Sequence, residues 1–593
     1  MDRNQATGLF LISALLLIYL FFFSPKAEPE KNKAQAPTTA ATPASATAPT
    51  PALAPDVKLD SAAGPVRGIE LKNPELTLLF STQGGRVTAV RLNGYKTFFG
   101  KPLNLFDAQS ARYNTTLTTT GGQKVDFAGL NFQADAPTTT PDGGQQLTFR
   151  AAVGGGTVTQ TYTLPKTGFE VKYNLKLAGV PVQEPLKFSF VDHVRQTEQD
   201  LKQNRNHTTI NHYQATGDHN ALAEASEKPE EVTVAAPLLW AADKHDFFVA
   251  GFVADSQPFA SGQFNATVNL ADSTFIKTLS TTLALPAADV TSAAGGQYRF
   301  FYGPNQFSLL KSVAPGFDRN VYLGWGVFRW VNRFVIIPVF SFLQQYISNY
   351  GIIILLLVVL IKLVTWPLTY KTYESQARMK VLKPEIDAIK AKHPDDQVKN
   401  QQETMKLYNQ FGVSPLSGCV PTLLTLPILF AMFQFFPNAI ELRQEPFLWA
   451  KDLSTYDNPI LLPFTLPYLG SHISLFTVLM TISTLFMTYQ SNQMNASAMQ
   501  GPMKFYSYLM PLIFFFVLNS FAAGLTWYYL VSNVVTLGQQ ALTRSFVNDT
   551  KIRAQLDANK IKNKDKKPGG FQARIAEAMR TAQERDAQAK KKG

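Results

Sequence analysis

Apolar and polar positions divide the chain into regions of different period. Near the start, residues 8–23 (GLFLISALLLIYLFFF) form a continuous apolar run. The run ends in FFFSPK, with no small-x-small site beside the apolar core and no lipobox cysteine. It reads as an uncleaved transmembrane anchor over 1–23, with a cleaved signal peptide as the alternative. Residues 24–56 are rich in Ala, Pro and Thr (AQAPTTAATPASATAPTPALAP). Such a segment cannot bury a core and reads as a disordered linker. From 57 to 318 the pattern switches to period two. The runs LTLLFST, GRVTAVRLNGY, GTVTQTYTLP, FEVKYNLKLAG, LKFSFVDHV, FFVAGFV, TTLALP and QYRFFYGP are separated by turn clusters such as PDGG and AAGG. This predicts a large all-β sandwich, exported because it follows a membrane anchor.

Beyond 318 the apolar runs lengthen. Residues 319–347 are apolar but interrupted by Arg329 and Arg333, with Trp325 and Trp330 beside them. That composition predicts an interfacial amphipathic helix, unless it is simply the start of the next span. Five further runs, 348–369, 416–437, 470–490, 505–523 and 525–545, are each near the ~20 residues a bilayer requires. With the anchor they make six transmembrane helices, five of them in a C-terminal core. The loop 370–415 holds eight Lys and Arg, and 551–593 holds thirteen. The loop 438–469 holds two, and the turn near 524 none. Basic loops stay inside, so both termini and the loop 491–504 are expected in the cytoplasm, with the β domain and 438–469 outside.

Within 370–415, Met379, Leu382, Ile386 and Ile389 are spaced three, four, three, an a/d seam. HPDD (393–396) then breaks the helix, and Asp395 or Asp396 can cap the next one, which offers Val398, Met405, Tyr408 and Phe411. Two short helices paired as a cytoplasmic hairpin are expected. The tail 546–593 reads as a basic cytoplasmic tail, with thirteen basic against five acidic residues in 551–593. Ribosomal RNA and anionic lipid are both compatible partners, as is a solvated positive-inside tail.

Composition narrows the chemistry. One cysteine, Cys419, excludes an intramolecular disulfide and multi-cysteine metal sites. The seven His show no HExxH spacing, and no phosphate-binding or dinucleotide loop is present, so no cofactor is expected. The net charge of +12 is concentrated towards the C-terminal end rather than in a nucleic-acid-binding domain.

The spans themselves carry polar groups. Lys362 sits in GIIILLLVVLIKLVTWPLT, four residues before Trp366 and five before Pro367. A charge at bilayer depth either faces a polar cavity or snorkels to the headgroups, and this stretch alone supports both. Thr425 and Gln434, then Thr481, Ser483 and Thr484, then Ser532, Asn533, Thr536 and Gln539 follow on later spans. They read either as glue between packed helices or as the lining of a hydrated interior.

FYGPNQFSLLKSV leading into YLGWGVFRWV, then WPLTYKTYESQARMKVLKPEIDAI, SPLSGCVPTLLTLPILFAMF, ELRQEPFLWAKDLS and GLTWYYLVSN occur in that order. Over about 320–545 this resembles the YidC/Oxa/Alb family of membrane-protein insertases. The β region is similar to the family's periplasmic supersandwich, with STQGGRVTAVRLNGY as its best-matching piece. The resemblance implies an insertase and chaperone of the inner membrane without nucleotide hydrolysis, acting alone or with the Sec translocon. It also implies an intramembrane groove open to cytoplasm and lipid and closed on the outer side. The family's positive groove residue, usually Arg, matches Lys362; a groove position that is often Gln matches Thr425; its tyrosine pair matches Tyr528 and Tyr529. A threonine that some members place one turn before the positive residue is Val358 here. With Gln434, Ser532 and Asn533 these residues form the expected substrate groove. Implied partners are nascent membrane proteins, the Sec translocon, the ribosome, the signal recognition particle with its receptor, and the lipid bilayer.

Two other classes remain. Supersandwiches also occur in sugar epimerases, which need a His and carboxylate pair. His193, His212 and His219 are present, but no arranged constellation is readable. A transporter would put a small solute in the groove, yet no inverted repeat is evident.

Overall fold

The structure is a computed structural model and describes residues 65–183, 185–393, 397–413, 420–466, 469–494 and 502–562. The expected anchor and linker, the candidate caps Asp395 and Asp396, and the tail from 563 lie outside the described residues.

Alternation along the chain becomes three antiparallel sheets in the β domain. A four-stranded sheet runs Gly68–Lys72, Leu76–Ser81, Arg86–Lys96 and Pro102–Phe106 in sequence order. A ten-stranded sheet centres on the neighbours Leu238–His245, Phe248–Ala254, Gly296–Pro304, Glu170–Ala178, Gly156–Leu164 and Gln145–Val153. A six-stranded sheet centres on Ser261–Thr267, Phe275–Leu285, Leu186–Arg195 and Ala111–Thr118. In Gly156–Leu164, Val158, Gln160, Tyr162 and Leu164 are buried while the intervening threonines are only partly covered, as a period of two requires.

The two larger sheets face each other across aromatic rings. Phe188 of the six-stranded sheet stacks on Phe252 of the ten-stranded sheet at 4.4 Å, and Phe252 stacks on Phe300 at 4.6 Å. Ring pairs at such spacings add to the stabilisation from area burial. The domain is the β-sandwich that the alternation predicts.

The helices that follow are numbered from 326. A helical run comprises α1 (Gly326–Val331), a π-helical turn (Asn332–Ile336) and α2 (Ile337–Gln344). Then come α3 (Tyr350–Val381), α4 (Lys383–Lys392), α5 (Gln397–Phe411), α6 (Val420–Asn438), α7 (Leu475–Met494), α8 (Pro502–Leu518), α9 (Ala523–Phe546) and α10 (Asp549–Lys562). Among the described residues two runs, Gly326–Gln344 and Tyr350–Val381, are long and apolar enough to cross a bilayer by length and composition. Leu426–Asn438 and Phe505–Leu518 are shorter apolar helices.

Three local expectations change. First, Pro367 does not end α3, which continues to Val381. Met379 therefore belongs to α3 and not to the hairpin. The break falls at Leu382, which caps the end of α3 and the start of α4, and Pro384 sits in the first turn of α4, where its missing N–H would lack an intrahelical partner anyway. Second, the expected two-helix hairpin is a three-helix assembly. Leu382 and Ile386 are buried with Tyr408 and Phe411 of α5 and with Ile552 and Leu556 of α10, Met379 packs at the edge, and Ile389 is half-buried. Third, the beginning of the supposed tail is α10 itself. Its two buried apolar residues, Ile552 and Leu556, four apart, cover the hairpin, and Arg553 pairs with Glu385 at 2.5 Å.

The β domain and helical core belong to one compact unit, Val57–Gly593. A buried clamp joins them. Arg443, in the segment after α6, donates from Nε to both Glu198 oxygens at 3.0 Å and from Nη2 to the Lys96 carbonyl at 2.7 Å. Its guanidinium also lies over the Phe248 ring, 5.1 Å from the centroid.

Candidate intramembrane groove

At the β-domain end the helices pack tightly. Ile353, Ile354, Leu357 and Val358 of α3 are buried with Ala431, Met432, Phe435 and Phe436 of α6, Phe476 of α7, and Ala523, Leu525, Tyr528 and Val531 of α9. Gly351 allows this approach, since a Cβ there would stand 2.0 Å from the Phe447 ring. Its carbonyl accepts the Trp527 indole N–H at 2.9 Å. The result is a dry plug.

Towards the hairpin the packing loosens on all three neighbouring helices. No residue is fully buried between Val359 and Glu374 of α3, Ile482 and Ser491 of α7, or Ser532 and Leu542 of α9. Polar residues concentrate in the same halves. On α3, Lys362, Thr365, Thr369 and Tyr373 follow each other at helical spacing. Thr365 and Thr369 donate back to the Ile361 carbonyl at 2.9 Å and the Trp366 carbonyl at 3.0 Å. On α9, Ser532, Asn533, Thr536, Gln539, Gln540 and Thr543 line up in the same way.

Cross-helix hydrogen bonds tie these stripes together. The Asn533 amide donates to Ser483 Oγ and Thr484 Oγ1 of α7, both at 2.9 Å. Gln539 Nε2 donates to the backbone carbonyl of Lys362 at 2.9 Å. The Tyr373 hydroxyl and Gln540 Oε1 are shielded yet have no hydrogen-bond partner among the described residues. A shielded polar atom without a protein partner is stabilised by water or a polar ligand.

Lys362 stands at the boundary between the two halves. It is half-buried, one turn beyond Val358 of the plug. It lies twelve residues from the start of α3, about 18 Å along the axis. The helix runs a further nineteen residues to Val381. Pro367 lies inside α3, so its nearness does not place Lys362 at a helix end.

The expected groove residues fall into separate places. Lys362, Ser532 and Asn533 belong to the loosely packed half. Tyr528 is buried in the plug, its ring 5.5 Å from Phe436, and Tyr529 meets Phe433 edge-on at 5.6 Å. Gln434 lies on the β-domain half of α6, where a Cβ on Gly324 would touch its side chain at 3.1 Å. Thr425 is on α6, with its side chain outside what the structure describes. Thr365, Thr369, Tyr373 and Gln540 escaped sequence reading; their signal was the recurrence of polar residues every three to four positions beside Lys362 and Gln539.

The histidines on which an enzyme reading would draw are also apart. His193 is bonded to Thr278 at 2.9 Å, His212 stacks on Phe264 at 4.6 Å, and His219 lies beside Trp240. Burial lowers both His212 and His219 to about 4. Imidazole and carboxylate meet instead at His245–Asp192, 2.9 Å, and His207–Asp246, 3.1 Å. The first of these pairs is sealed inside the sandwich, with side chains 3 % and 0 % exposed.

Comparison with known proteins assigns the whole described chain. The family described as YidC periplasmic domain matches residues 68–337, and that described as 60Kd inner membrane protein matches 342–550. The membrane protein insertase YidC of Amoebophilus asiaticus is 42 % identical, over 98 % of this chain and 99 % of its own length. That of Cytophaga hutchinsonii is 42 % identical over 98 % of each chain. That of Parabacteroides distasonis is 37 % identical over 90 % of this chain and 86 % of its own. A solved active YidC insertase with its first transmembrane domain resolved is 17 % identical, covers 81 % of this chain and 93 % of its own, and has a TM-score of 0.33. Sandwich and helical core are matched in the same order and over nearly their full lengths, so the chain belongs to the YidC family of membrane protein insertases.

Proposed function

We propose that this chain inserts newly made proteins into the inner membrane through a hydrated groove formed by the hairpin-side halves of α3, α7 and α9. The observation that carries the reading is the contrast along these helices: a dry plug at the β-domain end, and half-open polar surfaces around Lys362 at the other. Moving a polar tail across ~30 Å of hydrocarbon is the barrier to insertion. A groove hydrated from one side shortens the dehydrated path. Lys362, at its blind end, attracts an acidic or polar tail, and Asn533, Ser483, Thr484 and Gln540 offer exchangeable hydrogen bonds on the way. The substrate's apolar helix then leaves for lipid, driven by about 25 cal/mol per Å² of apolar surface removed from water. No step calls for nucleotide hydrolysis.

In this reading the chain spans the membrane six times, with the β domain in the periplasm and both termini in the cytoplasm. The Lys and Arg counts of the loops support the orientation. The α4–α5 hairpin, covered by α10, receives the substrate, its targeting factors or the ribosome. The chain acts alone or with the Sec translocon. Lys362 in place of the family's usual Arg keeps the charge but not the bidentate fork, so recognition is by charge rather than by shape.

The test uses purified protein in liposomes and a small single-span substrate with an acidic N-terminal tail, scored by protease protection of the tail. Wild type and Lys362→Arg are expected to insert it, and Lys362→Ala to lose most insertion. Equal insertion by all three would reduce Lys362 to a snorkelling residue. No insertion above empty liposomes by folded protein would remove the autonomous reading.

A further inference from the structure

Between α6 and α7 the chain forms a two-stranded antiparallel ribbon, Ile460–Leu466 paired with Gly470–Ile473. From Asn458 to Ile473 there is no Asp, Glu, Lys or Arg. Most apolar residues of its first strand do not pack on the protein. Ile460, Leu461, Phe464 and Leu466 are 45 %, 69 %, 57 % and 39 % exposed. Both faces of the first strand are uncovered, so it is not a half-buried strand with one stray residue.

Its base, by contrast, is rigid. Asn519, fully buried just after α8, donates to the Leu469 and His472 carbonyls at 2.9 Å and accepts from the Ser474 N–H at 2.9 Å. His472 Nε2 contacts the Asn519 carbonyl at 3.0 Å, and the His472 ring stacks on Tyr456 at 3.8 Å. The Asp457 carboxylate accepts from Ser474 Oγ and from the Leu475 and Phe476 N–H groups that open α7. The ribbon is thus held against the β-domain ends of α7 and α8. Near its end α8 also exposes Phe514, Phe516 and Val517, the last of them two residues before Asn519.

Two physical limits fix where such an element can rest. A two-stranded ribbon has open edges, and unpaired backbone groups are not tolerated in lipid-exposed hydrocarbon. An apolar ribbon with open edges in plain water is a template for aggregation. The headgroup boundary satisfies both limits: water reaches the edges while the side chains enter the acyl region. Pro463 removes one exposed N–H from the first strand.

We infer that the ribbon strands Ile460–Leu466 and Gly470–Ile473 form a monotopic anchor, seated in the outer-leaflet headgroup boundary with Leu461 and Phe464 directed into lipid. The choice of leaflet rests on the orientation proposed above; the depth does not. The ribbon fixes the β-domain ends of α7 and α8 relative to the membrane surface.

The test uses the full chain in lipid nanodiscs. Cys419→Ser removes the single cysteine, and Leu461→Cys, Phe464→Cys or, as a water-exposed control in the β domain, Asp142→Cys receives an environment-sensitive fluorophore. Monodispersity and an unchanged melting temperature establish that each variant is folded. The inference expects blue-shifted emission at 461 and 464, and quenching roughly twofold or more stronger by a doxyl group at the fifth acyl carbon than at the twelfth. Aqueous iodide should quench position 142 strongly and positions 461 and 464 weakly. Iodide quenching at 461 equal to that at 142 would place the ribbon in water and overturn the inference. Shielding from both iodide and doxyl lipid would show a protein partner on the ribbon and overturn it equally. Orientation is read separately, by an impermeant maleimide on Asp142→Cys in intact cells: labelling supports the leaflet, and protection would move the anchor to the inner leaflet and refute the proposed topology alone.

Discussion

Glu198→Ala should uncouple the β domain from the helical core without unfolding either. The Glu198 and Arg443 side chains are 9 % and 3 % exposed, and the carboxylate takes the guanidinium at 2.9–3.0 Å through three contacts. Burial pushes the Glu198 carboxyl up to about 7 despite the adjacent Arg443, so desolvation opposes the pair and its mutual attraction only partly offsets the cost. Removing the carboxylate leaves a buried guanidinium with the Lys96 carbonyl and the Phe248 ring as remaining partners. Breaking one partner out of a buried pair costs about 3–5 kcal/mol. Other polar links across this junction are Gln444 to the Lys96 carbonyl at 3.0 Å, Gln203 to the Ser520 carbonyl at 3.3 Å, and the half-exposed Arg333 and Arg329 to Asp318 at 3.3 and 3.8 Å. The loss therefore falls on docking, by a factor of roughly a hundred to a few thousand. Calorimetry of the protein in nanodiscs should show the β-domain transition separating from that of the core, and trypsin should cleave faster near Lys311 and Arg319. The double variant Glu198→Met/Arg443→Met should recover most of the coupling, because it removes both buried charges. A Glu198→Ala protein with the wild-type melting profile and the wild-type cleavage rate would refute the account of the clamp.

Three further outcomes follow from local geometry. Ile552→Asp places a charge in the cluster with Leu382, Ile386 and Phe411; it should cost about 3 kcal/mol or more locally and release α10, read as loss of hydrogen-exchange protection over 397–411 and 549–562. His212 is buried against Phe264 and lowered to about 4 from its ordinary 6.5, so its contribution to β-domain stability is present above pH 6.5 and lost as pH falls towards 4. At 1.36 kcal/mol per unit this is about 3 kcal/mol, and His212→Phe should flatten that part of the stability–pH curve in denaturant titrations. Asn519→Ala should cost about 2–4 kcal/mol by leaving the ribbon base unsatisfied, seen as a lowered melting temperature and faster proteolysis within 457–473.

Much of the architecture is written in local periodicity. Alternation gave the strands Leu76–Ser81, Arg86–Lys96, Gly156–Leu164 and Glu170–Ala178 within a residue or so of their ends, because each strand's two faces meet different surroundings. Runs of bilayer length located the core helices for a similar reason: the solvent around them selects composition residue by residue. Lys362 was legible as anomalous, since a charge in an apolar run needs no partner to be noticed.

Tertiary structure decided what depends on residues distant in sequence. That α3 passes through Pro367 depends on its packing on either side of the proline, in the plug at Ile353–Val358 and beside the hairpin at Met379, which outweighs one lost backbone hydrogen bond. That α10 completes the hairpin depends on Ile552 meeting Phe411, across a gap no period can bridge. The Glu198–Arg443 clamp and the Asn533 bonds to Ser483 and Thr484 join segments between about fifty and two hundred and fifty residues apart. The place of Lys362, between a dry plug and a polar half-open face, is likewise a property of three helices together. Sequence determined which groups are present and which local shapes they favour; only the fold determined which of them share a dielectric environment, and the chemistry around Lys362 depends on that.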